Sequence, residues 1–113
     1  MRKSIKKGKE FKNIYEEKNA FATKNLVLFI SKSCDLESNR YGISVSRKVG
    51  NSVIRHTLTR RIREIYRKNE NKILKGIDII IVLRVGSDKA KFIELNEEFL
   101  MLCKKHGIIK KED

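Results

Sequence analysis

Between residues 42 and 67 the sequence reads GISVSRKVGNSVIRHTLTRRIREIYR. Its apolar spacing changes there from alternate positions to a helical period, with a glycine turn between the two. A buried strand must therefore run through a tight connection directly into a helix. At about 100° per residue, Ile54, Leu58, Ile62, Ile65 and Tyr66 share one arc of that helix, which predicts its core face. His56, Arg60, Arg63 and Arg67 share a neighbouring arc, Arg61 and Lys68 the opposite flank, and Arg55 lies in the first turn. Asn51 or Ser52 is placed to cap the helix N-terminus. A capped N-terminus beside arginines suits phosphate, and the planar guanidinium fork suits it better than a lysine point charge does.

The charge of this stretch extends to the whole chain. Lys and Arg number 27 against 14 Asp and Glu, a formal net charge of +13 in 113 residues. Such an excess says little about fold but points to an anionic partner, with nucleic acid ahead of a membrane surface. No apolar run is long enough to cross a bilayer, and no apolar stretch follows the basic start as a signal peptide would require. The expected location is the cytoplasm. Cys34 and Cys103 are far apart and form no CxxC pair, and His56 and His106 are isolated, so both cysteines are expected to be reduced and no metal site is expected.

The rest of the chain reads as one domain over residues 1–113. Residues 1–9, MRKSIKKGK, form a basic arm expected to be mobile, either an RNA contact or a solubilising tail. Residues 10–18 predict a short helix with Phe11, Ile14 and Tyr15 on one face. Residues 19–23 predict a turn or short strand, and residues 25–32 a strand. In that strand Leu26, Leu28 and Ile30 point one way, Val27 and Phe29 the other. Residues 33–39 read as the polar loop of a hairpin leading to a strand over 40–47. There Ile43 and Val45 face the core, while Ser44 and Ser46 leave a shallow trough on the other side. Residues 77–85, IDIIIVLRV, predict a central strand. Residues 91–106 predict an amphipathic helix with Phe92, Leu95, Phe99, Leu102 and Cys103 buried, ending at Gly107. The fold class is α/β (α+β): a two-layer sandwich in the order αβββαβα, with a mixed sheet and its helices on one face.

Taken together, GISVSRKVGNSVIR with RRIRE after it resembles the protein subunit of bacterial ribonuclease P. So do the Phe11–Tyr15 spacing, the Leu-Val-Leu-aromatic run ending at Phe29, the Gly-Ile-Asp-Ile-Ile-Ile-Val run ending at Val82, and a last helix closing in Lys-Lys-His-Gly. The resemblance implies a left-handed β-α-β crossover, against the right-handed rule that strand twist alone would predict. It implies that Lys48, Arg55, Arg60 and Arg63 contact the catalytic RNA. Asn51, His56 and Arg67 join that surface through the helix reading. It also implies that Phe11, Tyr15, Val27 and Phe29, with the trough at Ser44 and Ser46, hold the 5′ leader of precursor tRNA between the first helix and the sheet. The family's Arg-Asn-Arg is Arg55-His56-Thr57 here, and its lysine before Arg60 is Thr59, while Arg61 restores one charge. His56 can still donate to phosphate.

The function so implied is removal of the tRNA leader by an RNA–protein endonuclease, with the RNA performing the chemistry and holding Mg²⁺. The protein would act as a monomer in a 1:1 complex with its RNA, with no catalytic residue or metal ligand of its own. The residues agree with this: they show neither clustered carboxylates for a two-metal site nor a Ser/His/Asp set. A general RNA-binding ribosomal protein or chaperone is the alternative that composition alone cannot separate. A protein-only nuclease would need metal-binding acids. DNA binding would need a partner for the basic helix, which follows a strand instead.

Overall fold

The computed structural model describes Ile5, residues 8–33 and residues 35–111. Most of the basic arm, and Cys34, lie outside these residues. Within them the chain forms α1 (Lys9–Glu16), β1 (Ala20–Ala22), β2 (Leu26–Lys32), β3 (Arg40–Val45), α2 (Ser52–Asn69), β4 (Ile77–Leu83) and α3 (Phe92–Lys105). The element order is the one the apolar spacing predicts.

The strand arrangement differs from expectation in one respect. Residues 33–39 do not close a hairpin, because the sheet order is β1-β2-β4-β3 and β4 lies between β2 and β3. Strand β4 pairs antiparallel with β2 and parallel with β3. Its apolar run explains the insertion: Ile79, Ile80 and Ile81 are wholly buried, which only a strand with a neighbour on each side and a layer on each face can satisfy.

The parity of β4 also fixes the hand of the β3–α2–β4 crossover. Its odd-numbered residues Ile79, Ile81 and Leu83 pack with Leu58, Ile62 and Ile65 of α2 and with Leu95, Phe99 and Leu102 of α3. Even-numbered positions turn their backbone to β2: Gly76 C=O accepts from Ser33 N–H and Arg84 N–H donates to Asn25 C=O, both at 2.9 Å. Viewed from the helices with β4 running upward, an L-residue facing the viewer directs its own N–H and C=O to the right. Strand β3 therefore lies to the right of β4. The chain crosses in front from right to left, a left-handed connection, as the family resemblance implies and contrary to the general rule.

Two helices, not three, cover this face. Helix α1 lies on the opposite side, where Ile5, Phe11, Ile14 and Ile80 form a second buried cluster. Its apolar face shows that it must dock, but not on which layer. Val27, Phe29, Ile80 and Val82 gave the sheet a second apolar face, and α1 covers part of it. Cys103 is a free thiol in the main core, where burial pushes its pKa up to about 12. Glu98 ties α3 to the turn after β1, accepting from the Thr23 hydroxyl and from the Asn25 backbone and side chain. Burial alone would raise the Glu98 pKa, but these hydrogen bonds outweigh it and hold the carboxyl below its ordinary value.

Candidate nucleic-acid interface

The first surface is the turn and helix that follow β3. The strand ends at Val45, so Ser46 and Arg47 belong to the turn rather than the strand. Lys48 is exposed in that turn and Val49 is buried beneath it. Asn51 is the N-cap of α2, its Oδ1 accepting from Ile54 N–H at 3.0 Å. Such a cap stabilises a helix by about 1 kcal/mol. Arg55 is half-buried and its Nε donates to Gly50 C=O at 3.2 Å, which holds the guanidinium across the turn. His56, Arg60, Arg63 and Arg67 are all exposed along one stripe of α2. Arg67 lies 3.7 Å from Glu64 in a largely exposed pair, which water screens to little effect.

The two threonines in this helix behave differently from the cations beside them. Thr57 Oγ1 donates to Val53 C=O at 3.0 Å and Thr59 Oγ1 to Arg55 C=O at 2.9 Å. Both hydroxyl protons are thus spent on the helix backbone. Beside them Ser52, Val53, His56, Thr57 and Arg60 line a shallow hollow, with Val53 71 % exposed.

The second surface is the sheet face that carries α1. The strand register sets it out in transverse rows. Phe29, Ile80 and Gly42 form one row, and Val27, Val82 and Ser44 the next. Helix α1 covers the first row. Phe11 packs on Gly42 so closely that a Cβ there would meet its ring at 2.6 Å. Tyr15 sets its ring against Phe29, with centroids 4.7 Å apart at 68°. The second row stays half-exposed beside the helix. Phe11 differs from the open cleft wall expected of it: at 7 % exposure it anchors the helix from beneath. Tyr15, Phe29, Val27 and Ser44 are half-buried and line the trough, and Ser46 is exposed at its end, where the chain enters the Arg47–Lys48 turn. Val82 belongs to this floor and was not singled out from the sequence. Its even position in β4, opposite Val27, was the available signal.

A further polar group fixes α1 in place. Asp78, with a side chain only 5 % exposed, accepts from Arg40 Nη2 at 2.7 Å and from Arg40 Nε at 3.1 Å. The same guanidinium reaches Glu10 of α1 at 3.0 Å. Asp78 is the one acid inside the apolar run of β4, where a carboxylate needs a partner. Among the described residues no three His, Cys, Asp or Glu side chains converge to hold a metal, and no helix is long and apolar enough to cross a membrane.

A small α+β domain with a left-handed crossover, a cationic helix and an open trough on the far side of its sheet is an uncommon combination. Comparison with known proteins places it. A family model described as Ribonuclease P matches residues 1–107. The ribonuclease P protein component of Lachnoclostridium phytofermentans is 45 % identical over 109 residues, covering 96 % of this chain and 93 % of that protein. The corresponding protein of Natranaerobius thermophilus is 36 % identical over 96 % of this chain and 93 % of its own length. Among solved structures, the RNase P protein of Staphylococcus aureus superposes with a TM-score of 0.87 at 27 % identity, covering 97 % of this chain and all (100 %) of that one. That of Thermotoga maritima gives 0.83 at 30 % identity, covering 92 % and 97 %. The chain belongs to the ribonuclease P protein family.

Proposed function

We propose that this chain is the subunit of ribonuclease P that binds the catalytic RNA and the 5′ leader of precursor tRNA, assisting removal of the leader. The observation that carries the reading is the continuity of two unlike surfaces through one turn. The trough of Val27, Val82 and Ser44 ends at Ser46, and Arg47 and Lys48 lead from there into the cationic stripe of α2. Phosphates are drawn to the stripe and turn. Unstacked bases lie against Tyr15 and Phe29 in the trough, which binds single strands with little sequence choice.

In this reading the chemistry, an Mg²⁺-assisted attack on the phosphodiester, belongs to the RNA, with one protein per RNA. The protein offsets RNA charge and holds a leader that only the precursor carries, so it favours substrate over product and lowers the Mg²⁺ required. Cleavage of precursor tRNA at low Mg²⁺, with the catalytic RNA of the same organism, is expected only when protein and RNA are both present. If the protein cuts alone, the reading is wrong about where the chemistry lies. If it binds the RNA and adds nothing, it is a general RNA-binding protein. Arg60→Ala is expected to weaken catalytic-RNA binding and to flatten the log–log salt dependence by roughly one unit. An unchanged slope would remove Arg60 from the phosphate contacts.

A further inference from the structure

The C-terminal half of α2 also forms one wall of a cleft of about 520 Å³, a volume in the range of small-ligand sites. Its base is aromatic, with the rings of Tyr41 and Tyr66 stacked 3.9 Å apart at 16°. Tyr66 is only 2 % exposed and its hydroxyl is shut off from solvent, so the aromatic surface open to the cleft is that of half-buried Tyr41. Asn39 also lines the cleft, its Nδ2 donating to Leu74 C=O at 2.8 Å and its Oδ1 accepting from Ile77 N–H at 2.9 Å, with its amide beside the Tyr66 hydroxyl.

Arg63 and Arg67 enter from α2, and Lys75 and Lys110 from the opposite side, so cations flank the opening. Glu37, Glu70 and Asn71 add acceptors and donors at its edge, two acids against the four cations. The wall formed by residues 37–39 is braced as well as lined: Gly76, at φ 82°, packs where a Cβ would stand 3.0 Å from Leu36 C=O. A flat aromatic base, polar groups at the edge and a cationic mouth match a base together with its phosphates.

We infer that this cleft receives one unstacked nucleotide of a bound RNA, with the base against Tyr41, which Tyr66 backs, and its phosphates on Arg63, Arg67, Lys75 and Lys110. A free nucleotide offers the same chemistry. The RNA is favoured because Arg63 and Arg67 belong both to the cleft and to the stripe that begins at His56 and Arg60. The inference therefore rests on the reading that this stripe contacts RNA.

The test is a titration of the isotopically labelled full chain with a short single-stranded RNA of mixed sequence, and separately with adenosine and uridine 5′-monophosphates. With the RNA, the side-chain amides of Asn39 and Asn71 should shift in step with the signals of His56 and Arg60. Lys75→Ala/Lys110→Ala should flatten the salt dependence by roughly 1.4 units, at about 0.7 per phosphate contact on a single strand. Tyr41→Leu removes the ring that the base lies against. It should weaken RNA binding roughly tenfold, whereas Tyr66→Phe, which removes a hydroxyl shut off from the cleft, should leave binding unchanged. If His56 and Arg60 respond while Asn39 and Asn71 do not, the cleft holds no nucleotide and the stripe reading stands. If none of them responds, the stripe reading falls as well. If the monophosphates saturate the cleft and the RNA leaves it untouched, it is a free-nucleotide site and its place on an RNA path is overturned.

Discussion

Arg40→Ala is expected to destabilise the protein by on the order of 3 kcal/mol, seen as a lower urea midpoint. The reason is what the substitution leaves behind. Asp78 is 5 % exposed and takes both of its short contacts from the Arg40 guanidinium. Without the arginine, a carboxylate remains inside the sheet with no other cation paired to it among the described residues. Because the same guanidinium reaches Glu10, α1 loses its charged tether too. The double variant Arg40→Ala/Asp78→Ala should recover part of the loss, since it removes the stranded charge. A loss below about 1 kcal/mol for the single variant would mean that water solvates the pair and that α1 is held by its apolar face alone.

Gly42→Val is expected to cost about 2–3 kcal/mol and to weaken binding of a leader-bearing substrate more than binding of the catalytic RNA. A Cβ at this position would stand 2.6 Å from Phe11 Cζ and 2.8 Å from Cε1. Phe11 is hemmed in by Ile14 and Ile80 and by the edge of Tyr15, so its ring cannot step aside without lifting α1. An eight-residue helix has no stability of its own to resist that. Combining Phe11→Leu with Gly42→Ala should give less than the sum of the two single losses. Additive losses would show that the Phe11–Gly42 contact is not what seats the helix. Leader and catalytic-RNA affinities falling equally would show that α1 does not wall the trough.

Periodicity and charge made most of this architecture legible. The switch from alternating to helical spacing across Gly50 located the turn and the basic stripe, and the β-branched run of residues 77–83 located the central strand. Pairing was harder to read. A short polar loop such as residues 33–39 looks the same whether it joins neighbouring strands or, as here, leaves a gap for a third. The side of the sheet chosen by α1 was equally hidden in Phe11 and Ile14, since an amphipathic face requires only some partner. Tyr41 and Tyr66 carried no local sign of a cleft. Tyr66 has the spacing of a core residue and is one, and the cleft beside it exists only where segments far apart in sequence meet.

The strand order has a kinetic consequence. In β1-β2-β4-β3, the strand that joins the two sides of the sheet is the last of the four to be synthesised. Until residues 77–83 have been made, β3 has no ladder partner, and α2 has no complete floor on which to lay Leu58 and Ile62. Closing the sheet thus brings distant segments together late, the slow step in chains dominated by non-local pairing. For a polypeptide with a net charge of +13, the arginines of α2 leave the ribosome before the surface that will present them exists. Any RNA that meets the nascent chain at that stage meets an unfolded polycation.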